Sequence, residues 1–227
     1  MAQTAQVNII ARIRSDFPTK FGIPRQSGLV DELEGRIVFE PEYRNPDALR
    51  GLEGFSHLWL IWEFSQARRA DWSPTVRPPR LGGNQRLGVF ATRSPFRPNP
   101  IGLSCVRITG IDLHTGEGPV IRVAGADLMD GTPIYDLKPY LPYADCKPEA
   151  VGGFAAAPKV ATLEVDVPPA LLERIPPEKR AALMGVLAQD PRPSYQDDPE
   201  RVYGMAFGGL EVKFRVDGDR LTVCGVD

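Results

Sequence analysis

The chain has 227 residues, of which 42% are hydrophobic and 25% charged, and its 27 basic and 29 acidic side chains leave a net charge of −2. That length buries a sizeable core in one large domain, or in one domain with a smaller appendage. The slight acidity excludes a generic nucleic-acid coat and still permits a local basic patch. Met1 to Gln6 has no basic start and no apolar run approaches the roughly 20 residues of a spanning helix, so a cytoplasmic protein without membrane segments is expected.

Val7 to Arg14 carries apolar side chains at alternate positions and predicts a first strand. A Pro/Gly-rich turn segment follows, in which Pro24, Arg25 and Gln26 set a guanidinium fork and an amide beside accessible backbone, equipment for holding a small polar ligand. Arg36 to Pro41 predicts a second strand, Asn45 to Leu52 a short helical turn, and Phe55 to Phe64 a long apolar central strand. His57, inside that last run, reads as a satisfied core histidine.

The stretch from Thr75 to Ser104 is the part that bulk composition explains least. Between Arg68 and Arg97 stand seven arginines (68, 69, 77, 80, 86, 93 and 97), no lysine and one acid, Asp71, a local balance of 7 − 1 = +6. Pro78, Pro79, Pro95, Pro98 and Pro100 exclude a long helix and leave extended segments and tight turns. Planar guanidinium forks held in such turns suit carboxylates, phosphates or stacked bases. Gly88 to Thr92, Leu103 to Ile111 and Val120 to Ala124 predict further strands.

Residues 125 to 145 read as a turn-rich loop that collects Asp127, Asp130 and Asp136 with Lys138, Tyr135, Tyr140 and Tyr143. Asp130-Gly131 is a turn dipeptide. The carboxylates can bind hydroxyls or an amine, or accept a proton. Residues 146–160 have a linker's small-residue composition. Beyond them come a strand at Ala161 to Val167, a helix opened by Pro177 and running from Glu178 to Ala188, a stop at residues 189–195, and a hairpin of Leu210 to Val216 with Arg220 to Val226.

Short strands separated by Gly/Pro turns, without helical crossovers, predict a mainly β fold: an antiparallel barrel or sandwich over residues 7–145, with a small C-terminal α+β domain over residues 161–227. No P-loop, no G-x-G-x-x-G on a strand-to-helix turn, no H-E-x-x-H and no nucleophile elbow is present. Cys105, Cys146 and Cys224 are widely spaced and odd in number, so each is expected to be a small buried apolar residue, and no metal is expected. Group transfer from an activated donor, or binding without chemistry, remain.

Five segments in chain order carry a resemblance: G-L-E-x-F-S-H-L-W (51–59), R-P-P-R-L-G-G-N-x-R-x-G-V-F-A-T-R-S-x-F-R-P-N-P-I-G (77–102), D-L-x-D-G-T-P (127–133), D-x-K-P-Y-L-P (136–142) and L-A-Q-D-P-R-P-x-Y (187–195). Together they resemble the TsaA/TrmO-like family of S-adenosylmethionine-dependent tRNA methyltransferases, which act on N6 of the threonylcarbamoyl-modified adenosine 3′ of the anticodon. The resemblance implies a non-Rossmann antiparallel β-barrel methyltransferase, a homodimer and an anticodon stem-loop as partner. It also implies a cofactor site of Pro24, Arg25, Gln26, Ser65, Gln66, Arg93, Leu103, Asp127, Leu128, Met129 and Asp130. Ser65 departs from the family's more usual His, giving F-S-Q for F-H-Q. The change is harmless if the backbone makes that contact, and alters cofactor affinity or pH response if an imidazole does.

The substrate nitrogen belongs to a urea, so transfer needs a proton acceptor, for which Asp136, Tyr140, Asp190 and Tyr195 are the candidates. Arg77, Arg80, Arg97, Lys138 and Arg192 suit the substrate's carboxylate and phosphates. The alternative is a non-catalytic S-adenosylmethionine- and RNA-binding module of the same fold.

Overall fold

The computed structural model describes residues 4–78, 81, 84–156, 162–193, 196 and 198–227. Six strands close an antiparallel barrel: β1 (Ala11–Arg14), β2 (Glu34–Phe39), β3 (His57–Glu63), β6 (Ile101–Thr115), β7 (Gly118–Ala124) and β8 (Pro133–Pro139), in the order β1-β2-β7-β6-β3-β8. Alternation sends Leu58, Leu60 and Trp62 of β3 inward with Ile13, Ile37, Val106, Ile121, Val123 and Ile134 to form the interior. Each such buried side chain contributes about 1.5–3 kcal/mol relative to exposure. Gly102 is where the Trp62 ring lies; a Cβ there would stand inside it.

Three expectations shift. The first strand begins at Ala11, with Val7 to Ile10 running alongside and Ile10 bonded on both sides, to Ile134 and Glu40. Gly88 to Thr92 is mostly a 3-10 turn, Val89–Ala91, and only β5 (Leu87–Gly88) pairs, with β4 (Thr75–Val76). Within residues 125–145, read as one loop, lies β8, the strand that closes the barrel between β1 and β3. Its bounding prolines mimic a turn, yet Pro133 sits at the first strand position, where a missing N–H is tolerated.

Strand β6, at 15 residues, outruns each neighbour. It pairs with β3 over Ile101 to Arg107 and with β7 from Arg107 onward. Its first half therefore has one edge turned away from β3 and beyond the end of β7. That edge is where other backbone must dock.

The second core centres on a sheet ordered β10-β11-β12-β9, from β9 (Glu164–Asp166), β10 (Tyr203–Phe207), β11 (Leu210–Asp217) and β12 (Arg220–Val226). Helix α3 (Pro177–Ala188) buries Ala182, Leu183, Val186 and Leu187 against it; the short helices α1 (Pro142–Asp145) and α2 (Pro169–Leu172) precede it. β9 and β12 fall on the expected strands, while β10 joins the hairpin as an unforeseen third partner. The segment joining β1 to β2 packs into this second core through Phe17, Phe21, Ile23, Val30 and Leu33. Phe17 meets Phe207 edge-on at 5.4 Å, Lys179 Nζ binds Asp16 at 2.7 Å, and Gly185 lies against Val30.

Gly22, at φ +89°, sits where a Cβ would land on the Met205 sulfur. Gly22→Ala is expected to cost about 2–4 kcal/mol in denaturant unfolding, from left-handed strain plus the clash. Gly28→Ala, at φ +75° with open space around it, costs the strain alone, about 1 kcal/mol. Equal losses in the two variants would refute the clash with the second core.

Candidate functional site

The segment that packs the second core with Phe17 and Val30 turns in between against the barrel. Ser27 Oγ accepts the Cys105 N–H at 3.1 Å, and the Gly28 N–H donates to the Gly125 carbonyl at 2.9 Å. Gly125, at φ +76°, lies so close to the Gly28 backbone that a Cβ would stand 3.3 Å from it, so this approach requires glycine. The turn thereby covers the unpaired edge of β6 at Cys105. Backbone groups alternate in direction along a strand, so Leu103 presents its N–H and C=O to the same edge as Cys105. Its side chain, 50% exposed, points to the barrel's outer face.

On the inward face of β6 stands Ser104, buried in the barrel mouth. Trp62 Nε1 donates to Ser104 Oγ at 3.0 Å, and Ser104 donates to Asp127 Oδ1 at 2.6 Å. Burial pushes the Asp127 carboxyl above the usual carboxylate range, against the opposing pull of Ser104, of backbone N–H groups including that of Ser27, and of the Arg93 guanidinium. Arg93 Nη1 also donates to Gln26 Oε1, and Gln26 Nε2 to the Arg25 carbonyl. Gln66 Nε2 donates to the Met129 sulfur at 3.4 Å. Gln26, Arg93 and Asp127 thus meet, and Gln66 meets Met129 of the turn that carries Asp127, with Pro24, Arg25 and Ser65 their neighbours in the chain.

Within that last turn the roles divide. Leu128 is a core side chain whose carbonyl accepts from Ser15 Oγ at 2.8 Å. Met129 offers its carbonyl to Thr132 Oγ1 at 2.7 Å, and Asp130 receives the Ser15 N–H at 3.1 Å with Arg14 at 3.7 Å. Ser65 is exposed at the start of a 3-10 turn, Ser65–Ala67.

That turn is held from beneath by a group the sequence reading missed. Glu63, buried at the end of β3, binds Arg68 and Tyr135; the Arg68 guanidinium first, and Tyr135 with it, hold its carboxyl below the ordinary glutamate range despite burial. Burial and the Glu63 bond push the Tyr135 phenol up. Ser27, Trp62 and Ser104 were also missed. The available signal was a serine at an inward position of the apolar run I-G-L-S-C-V, since a buried hydroxyl needs a partner.

Asp136 faces outward, in one row with Ile61 and Leu103 across β8, β3 and β6. Its Oδ1 accepts the Leu137 N–H at 2.9 Å and its Oδ2 stands 3.0 Å from Lys138 Nζ. Tyr140 lies half-buried on the same face beside His57 and Trp59, its phenol pushed up by that burial and by Cys146. His57 is therefore on the outer face, bonded to Ser56 at 2.9 Å, and not in the core. The thiols differ from expectation as well: Cys105 is half-buried, while Cys146 and Cys224 are exposed. Asp190, at φ +52°, holds Arg192 through both oxygens at 2.8 and 3.1 Å. Arg97 donates to the Thr92 carbonyl at 3.1 Å and Arg77 is exposed; Arg80 and Tyr195 lie outside the described residues. Among the described residues no cluster of His, Cys, Asp or Glu could hold a metal ion, and no helix is long and apolar enough to cross a membrane.

A closed antiparallel barrel that gathers carboxylate, guanidinium, amide and open strand edge at one mouth defines a binding or group-transfer protein unlike the doubly wound nucleotide folds. Residues 12–146 match the tRNA-methyltransferase O N-terminal domain and residues 161–227 the TrmO C-terminal domain. The chain belongs to the TrmO family. It is 43% identical over 219 residues to the Escherichia coli tRNA (adenine(37)-N6)-methyltransferase, covering 93% of each chain. It is 41% identical over 225 residues to a Pseudomonas aeruginosa protein named putative S-adenosylmethionine-dependent methyltransferase RcsF, covering 92% of this chain and 91% of that one. A crystal structure of TrmO from Pseudomonas aeruginosa superposes with a TM-score of 0.81 at 36% identity, over 100% of this chain and 98% of that one.

Two electrostatic outcomes are expected. Because Asp127 is raised in the fold, its ionisation costs stability as pH climbs past the ordinary carboxylate range, so Asp127→Asn should melt higher than the parent near pH 8 and the gap should close toward about pH 4. A gap that widens on acidification would contradict the assignment. Glu63 has the opposite sign, its stabilisation present above the ordinary glutamate range and lost as pH falls through the lowered value. Glu63→Gln should cost about 1–2 kcal/mol at neutral pH, discounted for the exposure of Arg68, and less in acid, by urea titration at each pH.

Proposed function

We propose that this chain is a tRNA methyltransferase that moves a methyl group from S-adenosylmethionine to N6 of threonylcarbamoyladenosine beside the anticodon, in the cytoplasm and as a homodimer. The observation that carries the reading is the convergence of Gln26, Arg93 and Asp127 at the unpaired edge of β6. The names of the relatives point to the same reaction.

The donor set fits a zwitterionic sulfonium. The Asp127 carboxylate faces positive charge, the Arg93 fork with Gln26 faces a carboxylate or hydroxyls, and the Leu103 backbone offers edge hydrogen bonds. Ser65 and Gln66 close the set from the side. Bound there, S-adenosylmethionine supplies an electrophilic methyl group on a positively charged sulfur.

The substrate nitrogen is a weak nucleophile until its proton leaves. Of the described candidates, Asp190 has both oxygens bound by Arg192, and the Tyr140 phenol holds its proton more tightly than usual. Asp136 shares its row with Leu103 and is the acceptor we assign. Lys138, Arg77 and Arg97 take the threonylcarbamoyl carboxylate and the phosphates, while Arg192 is the partner of Asp190 in the C-terminal turn. Ile101 and Leu103 leave apolar side chains exposed on the outer face, and a second copy is their proposed cover.

Purified protein is expected to incorporate labelled methyl into tRNA from cells lacking this gene, not into tRNA lacking the threonylcarbamoyl group, and to sediment as a dimer. Arg93→Ala should abolish S-adenosylmethionine binding in calorimetry with the barrel folded. Asp136→Asn should retain binding and lose about 10²–10⁴ in kcat. Cofactor binding without incorporation by the parent protein would sink the methyltransferase reading.

A further inference from the structure

Among the large aromatic side chains exposed outside the cofactor site are Phe90, at 72%, Trp72, at 52%, and Phe96, at 41%. All three lie inside the Arg68 to Arg97 segment, whose balance of +6 contrasts with −2 for the chain. They are held in place by backbone. The Val89 N–H donates to the Pro74 carbonyl at 2.9 Å beside the β4–β5 pair, which sets the Phe90 ring 6.1 Å from that of Trp72 at an interplanar angle of 34°. Arg86 Nη1 ties back to Thr75 Oγ1 at 3.0 Å. The Arg69 guanidinium lies 3.8 Å above the centre of the Phe96 ring. Phe90 and Phe96 each stand three residues from Arg93, so this surface runs directly into the Gln26 and Asp127 site.

Exposed aromatic faces set among arginines, with one acid in the segment, are the equipment of single-stranded nucleic-acid binding: rings take bases and guanidinium forks take phosphates. A second copy of the chain is a poor occupant. A two-fold contact through this patch would set +6 against +6, whereas a phosphate backbone neutralises it.

We propose that the Trp72 and Phe90 pair, with Phe96 under Arg69, is the platform on which unpaired bases of the anticodon loop stack, Arg77 and Arg86 holding the adjoining phosphates. The proposal rests on the tRNA reading above and adds to it a defined binding face.

The test uses the full chain with a fluorescein-labelled anticodon stem-loop bearing threonylcarbamoyladenosine. Trp72→Leu and Phe90→Leu are each expected to weaken stem-loop binding by about 5- to 100-fold. Both should raise the KM for tRNA, with S-adenosylmethionine affinity, melting temperature and sedimentation mass at parental values. Arg86→Gln should flatten the salt dependence of binding by about one unit of slope. Trp72 fluorescence, isolated by difference from Trp72→Leu, should be quenched by the stem-loop. Parental affinity in both leucine variants overturns the platform while leaving the methyltransferase reading intact, and so does a drop in sedimentation mass, which would make the patch a subunit interface. A parent protein that methylates no threonylcarbamoyl-bearing RNA overturns the function and the platform together.

Discussion

The backbone of β6 has to be satisfied on both edges, and its neighbours are too short to do it. β3 covers one edge from Ile101 to Arg107, and β7 reaches the other only from Arg107 onward. N–H and C=O groups on the other edge of the first half have no strand to pair with. The Ser27 hydroxyl answers at Cys105, and the bond between Gly28 and Gly125 pins the neighbouring turn. Part of the candidate site follows from this docking. It brings Gln26 to Arg93 and Ser27 to Asp127, and it leaves the Leu103 backbone as the open part of the edge.

The same connection has a second attachment. Phe17, Val30 and Leu33 flank the docked turn and sit in the core of the C-terminal sheet and helix. Repacking that core therefore moves the ends of the loop whose middle carries Arg25 and Gln26. The link between the domains is mechanical, made by one segment with apolar ends in one core and a polar middle at the other. Asp16 with Lys179 adds a mostly buried ion pair at its start. A bond of that kind is valued more for fixing geometry than for net stability.

Charge is divided with similar economy. Within the arginine-rich segment, Arg68 donates to buried Glu63, and Arg93 and Arg97 each place one Nη1 on a partner, Gln26 and the Thr92 carbonyl, with the rest of the fork available. Arg68 and Arg93 thereby brace the candidate site, while Arg69 lies over the Phe96 ring and Arg77 and Arg86 are exposed. A single run of like charge thus serves two surfaces. Forks with several donors make this possible where point charges would not.

Much of this was legible in the chain. Apolar runs between Gly/Pro turns identified β2, β3, β6 and β7, alternating apolar positions the β11–β12 hairpin, and Pro177 the start of α3. Pattern and turn chemistry are local, and local signals survive without coordinates. The arginine excess and the acidic turn at Asp127 also stood out, because composition needs no geometry. What failed was whatever depended on a distant partner. β8 was hidden by its prolines until β1 and β3 supplied its register. Glu63 read as one more residue of an apolar strand, and its pairing with Arg68 and Tyr135 belongs to three separate segments. Ser104 acquired meaning from Trp62 and Asp127, 42 and 23 residues away. Side-chain type and spacing determined the strands and the inventory of charge; which groups are buried, paired or left open to a ligand was decided by the closure of the barrel, since desolvation and hydrogen-bond satisfaction are properties of neighbours in space.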